Sequence, residues 1–401
     1  MRLGILYVSY DGMLEPLGQS QVLAYLKRLT AHHRIHLISF EKSVDWENIS
    51  ERIRIAKDIA ESGIIWHPLM YHKRPSALAT AWDIFCGILI GLYLIIWYRL
   101  RILHARSYVS SVIALALKRT TGLKFLFDMR GFWADERVEG GIWTPNCFMF
   151  DLAKWFEKRF FLAADHVVSL TNAANLEIQS FAYLQGRMPS VTVIPTCTDL
   201  LHFTPMYKKR DSDEFFLGYV GSVGTWYLFD VVALCFAQLI RLRPNAKLLI
   251  VNRGQHEYIR SELAKANVHD KSYEIVTSNH NNIQKKMSRM NAGIFFYKST
   301  YSRVACAPTK LGEFLGCGIP CISNVGVGDM AEVLEGERVG IALTSFDKVT
   351  LTEGLNRLLL LTLDPAIVER CVSTAKKHFS LEEGIKAYSA IYEKLSSNLN
   401  E

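Results

Sequence analysis

The chain has 401 residues, half of them hydrophobic and 21% charged, with eight cysteines and a net charge of +7. Such a composition belongs to a globular protein with ample core, in two or three domains by length alone. It excludes a disordered chain, and the scattered cysteines read as buried thiols rather than a disulfide framework or a zinc site.

The first residues, "MRLGILYVSY", read as a buried strand and lack the cleavage site of a signal peptide. The loop "YDGMLEPLGQS" follows, with glycines at 12 and 18 that permit close backbone approach. A helix is expected from about Ser20, then strands at "RIHLISF", "GIIWHPL", "RILHARS", "KFLFDMR" and "HVVSLT", with "TVIPTCTD" closing the half. This alternation predicts a doubly wound, mostly parallel sheet.

Between Glu61 and Asp128 the only acidic residue is Asp83. The same stretch holds Lys73, Arg74, Arg99, Arg101, Arg106, Lys118, Arg119 and Lys124. A surface this basic implies an anionic partner. Inside it lies the most apolar run, residues 84 to 98, about fifteen residues against the roughly 17–25 that span a bilayer. Flanking cations and the aromatics Trp82, Tyr93, Trp97 and Tyr98 suit an interfacial helix; a buried core helix fits the run equally. Gly87 and Gly91 form a G-x3-G that supports helix packing.

"DMRGFWADE" sets Asp128, Arg130, Asp135 and Glu136 just past a strand end, where an α/β sheet binds its ligands. Arg130 could hold an acceptor phosphate, and one of the carboxylates could orient or deprotonate an acceptor hydroxyl. A structural Asp–Arg pair is the alternative.

The strand-and-helix rhythm restarts after the polar stretch 204 to 215, with strands at "FFLGYVGSVG", "AKLLIVNRG", "YEIVTS", "AGIFFYK" and "GIPCISN" and a long final helix. The domains expected are 1–203, with 380–401 packing back on it, and 204–379. Neither the 12–18 loop nor "GSVG" completes a G-x-G-x-x-G, which argues against a dinucleotide dehydrogenase. No His spacing predicts a metal site.

"CAPTKLGEFLGCGIPCIS" carries the sharpest signal. Pro308 suits the first position of a helix and Gly318 its end. The N-terminus of that helix is an anion site, with Thr309 and Lys310 standing at it. Glu313 lies one turn on, about 5.4 Å along the axis, which is the separation of a nucleotide's diphosphate from its ribose. The alternative is a surface pair, Lys310 with Glu313, worth about 0.2–0.5 kcal/mol.

"PTKLGEFLGCGIPCISNVGVGD" resembles the donor-site segment of GT-B-fold nucleotide-sugar glycosyltransferases of family four. So do, in order, "SYDGMLEPLGQSQVLAYL", "FDMRGFWADERVEGGIW", "VIPTCTDLLHFTP", "GYVGSVG" and "HFSLEEGIKAYSAIYEKL". The resemblance implies two Rossmann-like doubly wound domains facing a cleft, with a C-terminal helix crossing back. It implies a donor, UDP- or GDP-linked, held by Gly18, Gly221, Ser222, Gly224, Arg253, Arg303, Pro308, Thr309, Lys310 and Glu313. It further implies transfer with retention and without metal or cofactor. The acceptor would be a saccharide, lipid-linked, in bacterial surface polysaccharide (O-antigen type) assembly. Together with the basic segment, it places the protein in the cytoplasm against the inner, anionic membrane face, with no nucleic-acid partner. The family has two glutamates with seven residues between them; Glu313 matches the second, and the first position here is Ala305. A nucleotide-sugar epimerase of similar fold, or a non-catalytic nucleotide-sugar-binding subunit, are the alternatives.

Overall fold

The computed structural model describes residues 2–206, 214–278 and 280–397. Two compact units divide the chain, residues 1–195 with 381–401 and residues 196–380. The expected boundary at 203/204 therefore moves to 195/196. The reason is packing: the Thr198 N–H donates to the Phe379 carbonyl at 2.7 Å, and Phe203 joins the hydrophobic core of the second unit. Most of the expected linker, 204 to 215, lies outside the described residues.

Unit 1 is a seven-stranded parallel sheet in the order β3-β2-β1-β4-β5-β6-β7. Its strands are β1 (Leu3–Ser9), β2 (His33–Glu41), β3 (Ile65–Met70), β4 (Ile102–Arg106), β5 (Lys124–Asp128), β6 (His166–Ser169) and β7 (Ser190–Val193). β1 pairs with β2 from Leu3↔His33 and with β4 from Ile5↔Ile102. It is buried on both faces, hence the unbroken apolar run in its sequence.

Unit 2 is a six-stranded parallel sheet in the order β10-β9-β8-β11-β12-β13. Its strands are β8 (Phe215–Val220), β9 (Ala246–Val251), β10 (Tyr273–Val276), β11 (Ala292–Ile294), β12 (Cys321–Asn324) and β13 (Gly340–Leu343). The last of these was not expected from the sequence. Both orders reverse direction beside the first strand of the unit, the crevice at which such sheets bind ligands.

Two local expectations change. The helix expected from Ser20 starts at Pro16 and carries a π turn over Gln19–Leu23 before its last segment, Ala24–Leu29. The apolar run 84 to 98 belongs to a longer helix, Ser76–Tyr98, whose 23 residues are enough in length and composition to cross a membrane. One face of that helix is nevertheless packed on unit 1. A Cβ on Gly87 would stand 2.6 Å from Ile113 Cδ1 and one on Gly91 2.7 Å from Leu117 Cδ1. The G-x3-G thus seats this helix on the Ser107–Thr121 helix. The opposite face leaves Leu78, Trp82, Phe85, Leu89, Tyr93, Ile96 and Trp97 exposed, so a wholly buried core helix is ruled out.

Candidate functional site

The Thr309–Gly316 helix presents its start at the strand ends of unit 2. Leu311, Phe314 and Leu315 anchor it in the core, with Phe314 stacked on Phe295. Its end is a Schellman motif: Gly318 N–H donates to Leu315 O at 2.9 Å and Ile319 N–H to Phe314 O at 3.0 Å. Gly318 supplies the left-handed residue, at φ +74°. The start is open. Pro308 occupies the flanking cap position rather than the first helical one, and no side chain caps the helix. Thr309 is half-buried beside it.

Lys310 is not a surface residue. It is 7% exposed, and its ammonium has no hydrogen-bond partner. The ring faces of Tyr227, Tyr219 and Tyr297 surround it, with Nζ 3.7, 4.8 and 5.9 Å from their centroids. Cation–π attraction offsets part of the desolvation cost but supplies no acceptor. Burial pushes the ammonium down to about 7, against the partial opposition of Glu313. Glu313 is half-buried, and burial pushes its carboxyl up to about 7 despite Lys310. Since Lys310 makes no hydrogen bond to it, the surface-pair alternative is excluded.

The turn after β8 is shaped around this lysine. Gly221 has φ +112°, and a Cβ there would lie 2.8 Å from Lys310 Cε. Asn252 Nδ2 donates to Gly221 O at 2.9 Å, and Gln255 bonds Val223 through both N–H and carbonyl, at 3.0 and 2.8 Å. Ser222 uses its carbonyl to accept from Tyr219 Oη at 2.6 Å. Gly224, at φ +82°, has open space where a Cβ would be. Arg303 is buried with its guanidinium 4.3 Å from the Trp226 centroid. The Tyr227 hydroxyl is raised chiefly by burial, and it also feels Arg303 and Glu313, so these charges converge on one ring. Arg253 is exposed, and its Nε donates to Ser278 O at 3.0 Å.

In unit 1 the four expected residues separate. Asp128 and Arg130 line a small pocket with Tyr7, Gln21, His104 and Tyr388, closed on its apolar side by Tyr25, Leu26 and Leu29. Tyr388 Oη donates to Asp128 Oδ2 at 3.0 Å, and Arg130 Nη2 donates to Gln21 Oε1 at 3.3 Å. Burial alone would raise Asp128, but Arg130 and His104 outweigh it and hold the carboxyl low. A carboxylate held low is a weak base, so Asp128 suits anchoring better than proton abstraction. Asp135 lies in another network, accepting from Lys154 Nζ at 3.0 Å; that lysine also pairs with buried Glu157 at 2.6 Å. Glu136 is half-buried in the same Trp133–Glu139 helix.

Gly18 belongs to unit 1, where a Cβ would overlap the Gly12 carbonyl. Gly12 in turn lies against Glu41, whose carboxylate accepts the Met13 and Leu14 N–H groups at 2.8 and 3.1 Å. Both glycines are therefore required by the packing of their own loop.

Sequence reasoning missed the three tyrosines, Asn252, Gln255, Gln21, His104 and Tyr388. They come from separate elements and form no local pattern. Only the positive-φ glycines of the 221–224 turn hinted at the close approach. Among the described residues no group of three or more His, Cys, Asp or Glu side chains could hold a metal ion.

Residues 206–378, which include Lys310 and Glu313, match the family model for glycosyl transferases group 1. Three solved structures share the fold over the whole chain. Sucrose-phosphate synthase from Thermosynechococcus elongatus has a TM-score of 0.73 at 15% identity, covering 99% of this chain and 100% of its own. Anabaena HepE, in complex with UDP and glucose, has a TM-score of 0.68 at 12% identity, covering 99% and 100%. A Listeria monocytogenes protein assigned as a UDP-N-acetylglucosamine 2-epimerase has a TM-score of 0.61 at 10% identity, covering 99% and 98%. No curated protein matches the sequence. The two Rossmann-like units have the GT-B fold.

Proposed function

We propose that this chain, whose unit 2 matches the group 1 glycosyl transferases, moves a sugar from a nucleotide diphosphate sugar to a saccharide acceptor. The donor is UDP- or GDP-linked; UDP is favoured by the ligand of HepE. The acceptor is lipid-linked, the protein works at the inner face of a bacterial membrane in surface polysaccharide assembly, and configuration is retained. One observation carries the reading: a buried ammonium without an acceptor, at an uncapped helix start, one turn from a carboxylate. The diphosphate meets the N–H groups of Thr309 and Lys310, and the ammonium swings from its tyrosine box toward it. Glu313 accepts the ribose hydroxyls. As the sugar leaves, charge grows on the diphosphate, and both the helix dipole and Lys310 stabilise it. Arg130 and Asp128, braced by Gln21 and Tyr388, orient the acceptor. A panel of nucleotide sugars, assayed for nucleotide release with and without a lipid-linked saccharide, tests this. Release that requires the acceptor supports transfer. Conversion of the donor sugar without acceptor means an epimerase, and binding without any turnover means a non-catalytic subunit.

The membrane part has its own test. The exposed face of the Ser76–Tyr98 helix lies between exposed Lys73, Arg74, Arg99 and Arg101, while Asp83, the one acid of the segment, is buried against Tyr10 and His72. Apolar burial and attraction to anionic headgroups then act together. The expected result is sedimentation with anionic vesicles that weakens as salt rises. Equal, negligible binding to neutral and anionic vesicles would refute it.

A further inference from the structure

The Ser76–Tyr98 helix has a neighbour of similar character. The Ser107–Thr121 helix packs on it from one side and on the Phe148–Ala163 helix from the other, and all three rest on the unit 1 sheet. They form one layer. The middle helix is largely covered; the two outer ones turn large apolar side chains to solvent.

On the Phe148–Ala163 helix those side chains are Phe148, Trp155 and Leu162. They recur every seven residues, two helical turns, so they form one stripe. Phe148 is 76% and Trp155 45% exposed. Ile142, in the loop ahead of the helix, is exposed too. Arg159 stacks its guanidinium 3.2 Å from the Trp155 centroid, and exposed Lys158 lies beside it. Asp151 is the one acid on the outward side. It sits in the first turn, where a carboxylate complements the helix dipole.

We infer that this helix is a second bilayer contact, so that unit 1 meets an anionic lipid surface through two helices rather than one; the inference rests on the membrane reading above. Charge chooses the occupant. On this helix Lys158 and Arg159 stand beside the apolar stripe and Asp151 is its one exposed acid, Glu157 being buried. Around the first helix, with Asp83 buried, every exposed charge from residue 62 to 127 is a cation. Aromatic side chains next to Lys and Arg are the composition of the lipid headgroup boundary, whereas protein interfaces are depleted in Lys. Two separated contacts would also fix the orientation of unit 1 on the membrane, which one helix, free to roll about its axis, would not.

The test is co-sedimentation of the full chain with phosphatidylcholine vesicles, with and without phosphatidylglycerol. Phe148→Ser with Trp155→Ser should lower partitioning onto the anionic vesicles about tenfold or more, since two inserted aromatic side chains are lost. Trp82→Ser with Trp97→Ser should do the same through the first helix. All four sites are exposed, and unchanged UDP binding by unit 2 with an unchanged circular dichroism spectrum controls for folding. If the 82/97 pair loses binding while the 148/155 pair keeps the wild-type level, the second contact is wrong and the membrane reading stands. If the wild type ignores all vesicles, both fall. If the 148/155 pair turns a dimer into a monomer without changing vesicle binding, the face joins two copies and the inference is overturned.

Discussion

Lys310→Met is expected to lower turnover about a hundredfold or more while raising the melting temperature by a few degrees. Methionine fills much of the same space among Tyr219, Tyr227 and Tyr297 and carries no charge to desolvate. The wild-type ammonium is buried, has no acceptor, and is pushed from its ordinary 10.5 down to about 7. A base whose folded value lies below its unfolded one destabilises the fold fully below the folded value. That cost disappears as pH rises toward the unfolded value. Wild-type stability should therefore climb between pH 7 and 10.5 relative to Lys310→Met. The catalytic loss has a separate origin. A positioned donor aimed at developing negative charge contributes about 10²–10³ in rate. Because that charge grows in the transition state, turnover should suffer more than the donor Michaelis constant. Lys310→Glu should be worse on both counts, since it opposes the phosphate and the helix dipole. Wild-type turnover in Lys310→Met at saturating donor would move the leaving-group role to Arg303 or Arg253. A destabilised Lys310→Met would mean that the ammonium is satisfied in the folded protein.

Glu313→Ala is expected to weaken donor binding about ten- to hundredfold and leave the fold intact. Hydrogen bonds from two ribose hydroxyls to a charged acceptor are worth roughly 1.5–3 kcal/mol, which corresponds to that range. The carboxyl is half-buried and raised by burial, so its removal should not itself destabilise the helix. Calorimetry with UDP and with uridine separates the contacts. Glu313→Ala should weaken both ligands, whereas Lys310→Met should weaken UDP and spare uridine. Wild-type affinity for both ligands in a folded Glu313→Ala would remove this residue from the site.

The sheets were legible because a parallel strand covered on both faces reads as a continuous apolar run. β13, "GIAL", escaped although it is as long as β6, β10 and β12; it lies between two helices, Met330–Gly336 and Lys348–Leu363, and was not told apart from them. The helix from Thr309 to Gly316 was legible from its proline and glycine punctuation, and so was the one-turn spacing of Lys310 and Glu313. The depth of Lys310 was not. Lysines are rarely buried, and the rings that bury this one come from the end of β8, the turn after it and the segment after β11. The glycines at 12 and 18 were legible only as sites of close approach. A sequence shows that close approach is permitted, not whether the approaching group is a ligand or, as here, the loop itself. "DMRGFWADE" packed four charged residues into one stretch, but a helix starting at Trp133 carries Asp135 to Lys154 and leaves Asp128 with His104 and Tyr388.

The central claim, that Lys310 and Glu313 receive the diphosphate and the ribose, is tested most directly by the protons exchanged when UDP binds. Calorimetry in buffers of different ionisation enthalpy measures them. Bound diphosphate favours charged Lys310, and bound ribose favours charged Glu313, whose free-protein values both stand near 7. Above that value Glu313 is already ionised and Lys310 neutral, so binding should take up a proton; below it the roles exchange and binding should release one. Lys310→Met should abolish the uptake on the alkaline side, and Glu313→Ala the release on the acid side. Tight UDP binding with no proton exchange on either side of pH 7, or exchange that survives both substitutions, would contradict the assignment.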